Sequence, residues 1–294
     1  MKDNDSISVS NQEAAQVHHV RLAPVEKGVH LRLRELWEYK DLVRLLTRKT
    51  FSITYQQTIL GPLWIVFNPL LSSLLYMFLF GYVANIGTSG IPRILFYFVS
   101  SAVWEVLSVS LVSNANTFVA NANLFGKVYF PRLTVPISNM IVALLKFCVQ
   151  LIIIAAIMVV YVANGEVHPM WKYYPILPLL ILQAAILGMS VGILLSSFTT
   201  KYRDLLVVVT VIANLWMYAS PVVYPMSEMP SGILKTIIKI NPATEIFELI
   251  RWIMLGEGEV SLPYVFLSVG TTLILFVVGA AVFNRVERTF VDTV

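Results

Sequence analysis

The chain has 294 residues, of which 57% are apolar and only 13% are charged, and its formal charge is +4. Soluble domains carry roughly a quarter charged residues, so the composition excludes a soluble protein and predicts an all-α membrane protein with several spans. The basic residues stand beside apolar runs, so the positive charge does not indicate a nucleic-acid partner. Because Cys148 is the single cysteine, an intrachain disulfide and a cysteine metal site are excluded.

Residues 1–30 are polar, and we expect them to form a disordered cytoplasmic tail in front of one membrane domain, residues 31–294. An amphipathic helix is predicted next, over about 33–51. Its apolar stripe and its basic faces indicate a helix that lies in the membrane surface, where cations meet anionic lipid. The residues that define this interface helix are Leu36, Tyr39, Val43, Arg44, Leu46 and Arg48.

Six stretches are apolar and long enough to cross a hydrocarbon core of about 30 Å. They run from about Leu63 to Val83, Ile94 to Val112, Pro136 to Val162, Pro175 to Phe198, Leu205 to Tyr224 and Leu262 to Phe283. The second stretch is the weakest, because Glu105 and several serines interrupt it. With six spans, the basic loops and both termini fall on one side, which the positive-inside rule predicts to be cytoplasmic.

The segment between the fifth and sixth spans, 225–261, combines apolar and charged residues. Asn241 followed by Pro242 predicts a helix start, with Asn as the cap and Pro in the first turn. The charged residues make a full crossing costly, so we expect short amphipathic, re-entrant helices that enter the membrane from outside. An ordinary extracellular loop helix is the alternative. The apolar stripe is Ile246, Ile250 and Ile253, set against Lys239, Glu245, Glu248 and Arg251.

The loop after the second span, 121–136, is apolar and aromatic although it is predicted to lie on the cytoplasmic side. Exposed apolar patches are costly in water and often mark a docking surface. Alternatively, Phe125 and Phe130 only dip into the membrane interface. The apolar residues of this loop are Leu124, Phe125, Val128, Tyr129 and Phe130.

The pattern G-x-S-x-G occurs at 188–192 and is typical of a nucleophile elbow when a strand-to-helix turn and a histidine accompany it. Here it lies inside a predicted membrane helix, and none of the four histidines lies in a span. Small residues at such positions favour close packing of helices instead.

Glu105 and Lys146 are the ionisable residues that lie deepest in the predicted spans. Charged groups at this depth are costly and usually face protein or water. The two residues therefore pair, or they line a polar path, or Lys146 reaches the inner membrane surface with its long side chain. The sequence leaves these alternatives open.

Aromatic residues gather near the outer end of the fifth span, where Trp216, Tyr218 and Tyr224 surround Pro221. Pro221 is expected to bend the helix or end it. The aromatic residues form an interfacial belt, or they offer flat apolar faces and hydroxyl groups to a sugar chain.

The chain also lacks a nucleotide-binding loop. Gly126-Lys127 has neither the preceding glycine nor the following Ser or Thr of a phosphate loop. If ATP drives transport here, the ATPase is a separate chain.

In their order and spacing, five segments resemble the membrane subunit of type-2 ABC exporters for polysaccharides, the permease family for O-antigen, capsule and teichoic acid. The resemblance covers about residues 31–285. The segments are QQTILGPLW (Gln56–Trp64), LFGKVYFPRLTVP (Leu124–Pro136), YRD (Tyr202–Asp204), SPVVYP (Ser220–Pro225) and NP…RWIMLG (Asn241–Gly256).

The resemblance implies a homodimer in the bacterial cytoplasmic (inner) membrane with two cytoplasmic ATPase subunits. ATP and Mg would bind to those subunits, and this chain would hold no catalytic residue, cofactor or metal. A lipid-linked polysaccharide would pass between the two copies, along spans one and five. The aromatic residues on this path are Tyr76, Trp216, Tyr218 and Tyr224, and the residues of the ATPase-coupling loop are Leu124, Phe125, Lys127, Tyr129, Phe130 and Arg132.

Two other functions remain open at this point: a drug or lipid permease of the same type, and an enzyme embedded in the membrane. Hydroxyl, amide and aromatic groups in spans one and five favour a glycan over a drug, and they include Asn68, Ser72, Ser73 and Asn214. An enzyme would need convergent catalytic groups in the spans, and the sequence does not supply them.

Overall fold

A computed structural model describes residues 37–56, 58–125, 127 and 130–291, with side chains up to residue 286. All of the regular secondary structure within these residues is helical. The helices are α1 (Lys40–Tyr55), α2 (Trp64–Tyr76), α3 (Arg93–Ala115), α4 (Thr117–Ala120), α5 (Ala122–Phe125), α6 (Thr134–Ala163), α7 (Leu177–Lys201), α8 (Leu205–Tyr218), α9 (Ile233–Ile240), α10 (Pro242–Leu255) and α11 (Leu262–Val291). A π-helical segment, Met77–Val83, continues α2, and 3₁₀ turns precede α2 and α7.

Five helical segments are long and apolar enough to cross a membrane, which confirms the predicted all-α protein with several spans. They are Gly61–Val83, Arg93–Ala115, Thr134–Ala163, Trp171–Lys201 and Leu262–Val286.

The predicted fifth span corresponds to the shorter helix α8. With 14 residues, α8 rises about 21 Å, less than a hydrocarbon core of about 30 Å. It ends three residues before Pro221, as expected for a residue that cannot continue a helix. The six-span count therefore stays a prediction.

Helix α3 forms the centre of the bundle and packs against α2, α6 and α7. Most of its side chains are buried, including the serines that weaken its hydropathy. Gly188 and Gly192 of α7 let the two helices touch, because a Cβ at Gly192 would lie 2.8 Å from the Cβ of Asn114. The interpretation of the G-x-S-x-G pattern as a packing motif is confirmed, and a lower hydropathy fits a helix that contacts protein rather than lipid.

One end of the bundle, which we call the α1 end, collects the elements that were predicted to be cytoplasmic. Leu46 of α1, Phe125 of α5 and Phe283 of α11 belong to one apolar cluster there. The hydroxyl of Thr199, near the end of α7, donates to the carbonyl of Ala115 at 2.6 Å. The grouping of these loops at one end agrees with the prediction, whereas the side of the membrane that they face stays a prediction.

The α9–α10 hairpin lies at the other end, which we call the α10 end. Asn241 caps α10 by accepting a hydrogen bond from the backbone N–H of Ala243 at 3.1 Å, and Pro242 occupies the first turn. The predicted helix start is thus confirmed. Gly256 ends α10 with a φ of 87°, a conformation that suits glycine.

Helix α10 does not expose the polar face that its sequence pattern predicts. Glu245, Glu248 and Arg251 are as buried as the isoleucine stripe beside them, because α10 is covered on all sides by its neighbours. Helix α9, by contrast, leaves apolar side chains such as Ile233 and Ile237 exposed. Whether the hairpin enters the membrane stays a prediction.

Candidate functional site

The predicted docking loop folds into α4, α5 and a turn, and two of its aromatic side chains point inward. Phe125 is only 7% exposed and Phe130 is buried with it. Their ring centroids lie 5.7 Å apart, and Phe118 lies 5.8 Å from Phe125 and 4.7 Å from Phe283 of α11. The expectation that Phe125 and Phe130 are exposed is therefore wrong, because the loop buries them against α11.

The outward side of this loop carries other residues. Lys127 is exposed and Leu124 is half-buried, while Arg132 is buried with its guanidinium 5.2 Å from the ring centroid of Phe125. Arg132 thus stabilises the inner side by a cation–π contact. Tyr129 lies outside the described residues. The loop consists of an inner anchor and an outer face, and only the outer face is available to a partner.

Helix α1 packs on α6. Its side chains Val43 and Leu46 are buried, while Arg44 and Arg48 are exposed. That α1 lies in the membrane surface stays a prediction. Tyr39 precedes the helix and is exposed, so the buried stripe of α1 does not include it. Leu36 and the predicted tail, residues 1–30, lie outside the described residues. Leu46 joins α1 to the cluster that anchors the docking loop.

The two deep ionisable residues do not form an ion pair in the part of the chain that the structure describes. Instead, the amide of Gln150 donates to the carboxylate of Glu105 at 2.7 Å and to the carbonyl of Ile65 at 2.9 Å. Gln150 therefore connects α2, α3 and α6, and the sequence analysis did not select it. The sequence did offer a signal, because Gln150 is an amide one helical turn after Lys146, on the same face of the predicted span.

Lys146 points instead towards Tyr55 at the end of α1. Its ammonium lies 5.6 Å from the ring centroid of Tyr55. Burial, with a smaller contribution from the charge of Glu105, raises the pKa of Tyr55 to about 12. Tyr55 thus keeps its proton, and the contact with Lys146 is a cation–π contact rather than an ion pair.

The aromatic residues of α2 and α8 form a ladder along one side of the bundle. Phe80 lies 6.3 Å from both Tyr76 and Tyr218, measured between ring centroids. Tyr218 is 47% exposed, and its carbonyl accepts a hydrogen bond from the hydroxyl of Tyr224 at 3.1 Å. We call Tyr76, Phe80, Tyr218 and Tyr224 the aromatic ladder.

Trp216 does not belong to the ladder. Its ring packs edge-on against Trp104, with centroids 6.1 Å apart, and its N–H donates to the side-chain oxygen of Asn241 at 3.1 Å. Trp216 and Tyr218 therefore face different directions, as expected for helix positions two residues apart. Trp216 connects α8 to the cap of α10.

A buried ionic cluster at the α10 end was missed by the sequence analysis. Glu248 and Arg251 form an ion pair, and each is 1% exposed. Arg251 also donates to the carbonyl of Pro221 at 2.5 Å, and the Phe96 ring centroid lies 4.7 Å from its guanidinium. The sequence could not show this, since the same spacing describes a solvated face.

Glu248 and Glu245 also hold the surrounding loops. Glu248 accepts the backbone N–H of Met226 at 3.3 Å and that of Glu259 at 2.8 Å. Burial, assisted by the charge of Glu248, raises the pKa of Glu245 to about 7. The cluster thus joins α10 to the loops on both sides of the hairpin.

Two observations bear on ligands. Among the described residues, no group of three His, Cys, Asp or Glu side chains could hold a metal ion. A groove of about 1120 Å³ lies between α1 and the first half of α6.

Comparison with known proteins extends these findings. The sequence profile of the family described as "ABC-2 type transporter" matches residues 41–255. Two proteins from Klebsiella pneumoniae, both named "O-antigen export system permease protein RfbA", are 28% and 26% identical to this chain, each over 86% of it and 94% of the relative. A protein of the same name from Myxococcus xanthus is 28% identical over 71% of this chain and 78% of that protein.

Proposed function

Because this chain belongs to the ABC-2 type transporter family, we propose that it is the permease subunit of an ATP-driven exporter that moves a lipid-linked polysaccharide. The observation that carries the proposal is similarity over 86% of the chain to two proteins named O-antigen export permeases. An O-antigen-like glycan is therefore the proposed cargo. The chain is itself a multi-pass membrane protein, and it is a transport subunit rather than an enzyme.

The proposed assembly is a homodimer in the bacterial inner membrane with two copies of an ABC ATPase. Helix α2, the π-helical segment after it and helix α8 support a contact between two copies, because they expose large apolar side chains such as Phe67, Phe78 and Leu215. ATP and Mg would bind to the ATPase subunits. Both termini and the α1 end would face the cytoplasm, where the ATPases are.

Transmission from the ATPase would start at the outer face of the docking loop, at Leu124 and Lys127. The inner side of the loop shares an apolar cluster with α1, α6, α7 and α11. Closely packed side chains move together rather than compress. A displacement of the loop would therefore reach these four helices at once.

The aromatic ladder is the proposed contact surface for the glycan. A polymer that must move needs many weak contacts, which aromatic faces supply through broad area and hydroxyl groups. Strong ionic contacts would hold the chain in place. Glu105 and Lys146 are turned towards Gln150 and Tyr55, which leaves the ladder free of these charges.

Deletion of the gene tests the function itself. Surface glycan should disappear while lipid-linked glycan accumulates inside the cell, and expression of the intact chain should restore export. A permease for a drug or a phospholipid would leave surface glycan unchanged on deletion.

Tyr218→Ala tests the path. We expect export per recovered complex to fall roughly two- to tenfold, the effect of losing one aromatic contact, while assembly and ATP hydrolysis persist. Tyr202→Ala is the matched control, because Tyr202 is an exposed tyrosine at the other end of the bundle. The measurement is surface glycan divided by complex recovered from membranes. A normal ratio for Tyr218→Ala combined with Tyr224→Ala would assign both residues to an interfacial belt.

A further inference from the structure

The groove between α1 and α6 has an apolar wall on the α6 side. Ile137, Ile141 and Leu145 of α6 line it at four-residue spacing and form one stripe, opposite Val43 and Phe51 of α1. At about 1120 Å³, it has room for a large ligand. Its shape and apolar wall suit a hydrocarbon chain.

The α1 side of the groove is basic. Lys40, Arg44 and Arg48 follow one another at four-residue spacing and line the same face. Lys40 lies over the ring of Trp37, 5.9 Å from its centroid. Arg44 and Arg48 are exposed, and neither forms an ion pair with a carboxylate in the described part of the chain. The groove therefore presents two guanidinium groups to an anion.

Thr47 provides an independent sign of a ligand. It lines the groove and its exposed fraction is only 7%. Its hydroxyl has no hydrogen-bond partner among the described residues. Thr54 of the same helix behaves differently, since its hydroxyl donates to the carbonyl of Thr50 at 2.8 Å. A buried hydroxyl without a partner is costly, so an acceptor from outside the chain is expected at Thr47.

We propose that this groove is a binding site for one anionic phospholipid of the surrounding membrane. The acyl chain lies along the α6 stripe, and the phosphate oxygens accept hydrogen bonds from Arg44, Arg48 and the Thr47 hydroxyl. A free phosphate would leave the apolar wall exposed. The bound lipid would hold α1 against α6, and α1 belongs to the cluster that anchors the docking loop.

The location of the groove separates this lipid from the proposed cargo. The aromatic ladder lies on α2, on the π-helical segment that follows it, on α8 and at Tyr224, whereas the groove is lined by α1 and α6. From the start of span one, the groove lining includes Pro62, which precedes α2. A phospholipid from the leaflet is therefore the favoured occupant over the lipid that carries the glycan.

The test uses the purified full-length chain in detergent, titrated with phosphatidylglycerol or phosphatidylcholine and followed by native mass spectrometry and thermal unfolding. Phosphatidylglycerol should bind more tightly and raise the unfolding midpoint. Arg48→Gln should weaken this binding about fivefold, which corresponds to the contribution of one cation near an anionic lipid. Higher salt should weaken the binding of the unmodified chain.

Two further variants complete the test. Lys49→Gln removes the same charge from the adjacent position, which is exposed and does not line the groove, and it should leave phosphatidylglycerol binding unchanged. Thr47→Val keeps the side-chain shape and removes the hydroxyl. It should weaken lipid binding without lowering the stability of the lipid-free protein, because no internal hydrogen bond is lost.

Three results would overturn the proposal. Equal binding by Arg48→Gln and Lys49→Gln would mean that the lipid binds elsewhere. No preference for phosphatidylglycerol over phosphatidylcholine would assign the groove to another occupant, such as the residues of this chain before Trp37. Displacement of phosphatidylglycerol by an equal mole fraction of a polyprenyl phosphate would assign it to a carrier lipid.

Discussion

At the scale of single residues, Glu245 couples the stability of the α10 end to pH. Its pKa is raised by burial to about 7, from an ordinary value of 4.5. Between these values the folded protein keeps a proton that the unfolded chain has lost, so the folded state binds more protons. The free energy of unfolding should therefore fall as the pH rises from about 5 to about 7.5. Thermal unfolding in detergent, repeated at several pH values across this range, measures the change in stability.

Glu245→Gln should flatten this pH dependence, because the side chain can no longer titrate. Glu257→Gln is the control, since Glu257 is exposed in the loop after α10 and its loss should leave the dependence in place. The other ionisable groups near Glu245 are Glu248, Glu259 and Lys239. If the free energy of unfolding of Glu245→Gln depends on pH as steeply as that of the unmodified chain, one of these other groups is responsible for the pH dependence.

The ion pair of Glu248 and Arg251 gives a second prediction at this scale. Arg251→Met leaves Glu248 buried without its partner, and we expect a loss of about 3–5 kcal/mol in the free energy of unfolding. Adding Glu248→Gln to Arg251→Met should recover part of this loss, because the substitution removes the unpaired buried charge. The recovery is only partial, since the backbone N–H groups of Met226 and Glu259 bind different carboxylate oxygens of Glu248, and the single amide oxygen can accept only one of them. A double variant that is less stable than Arg251→Met would contradict the explanation by unpaired charge.

At the scale of elements, the loop that we propose as the docking surface has an inner side packed in the protein's own core and an outer side that is free for the proposed partner. Leu124→Asp changes the outer face and should reduce co-purification of the ATPase, because it places a carboxylate in an apolar contact. Its effect on the stability of the permease should be smaller than that of a change at a fully buried position, because Leu124 is half-buried, although it also packs against the inner cluster. ATPase recovered per permease measures the first quantity, and thermal unfolding measures the second.

Phe125→Ala is the informative contrast. It removes a ring from the cluster with Phe118 and Phe130 and should destabilise the chain by about 3–5 kcal/mol. Lys201→Asp controls for an added negative charge on an exposed residue elsewhere at the α1 end, the last residue of α7. Undiminished ATPase recovery with Leu124→Asp would reject the outer face as the docking surface.

At the scale of the whole molecule, the number of crossings depends on α8. Lys201 precedes this helix and Glu257 follows the hairpin, so the two residues face opposite sides of the membrane if α8 crosses it. With Cys148 replaced, a cysteine at Glu257 should react with an impermeant thiol reagent in intact cells. A cysteine at Lys201 should react only after permeabilisation. Labelling of both in intact cells would remove α8 from the spans.

Much of the fold was predictable because it depends on local sequence properties. Five of the predicted spans match helices to within a few residues, since length and hydropathy suffice for a segment that must satisfy its own backbone hydrogen bonds. The Asn241–Pro242 helix start and the end of α8 before Pro221 follow from caps and ring geometry. The assignment of the 121–136 loop to docking stays a prediction, whereas the expected exposure of its Phe125 and Phe130 side chains was wrong.

Sequence alone determined the helical class, five of the spans, the basic α1 helix and the small residues that let α3 touch α7, because each depends on neighbours along the chain. Tertiary structure alone decided that Phe125 and Phe130 point inward, that Gln150 rather than Lys146 contacts Glu105, and that Arg251 is buried against Glu248. Periodicity shows which residues share a face of a helix. Only the packing of other helices decides whether that face contacts lipid, water or protein, and therefore what a charge on it costs.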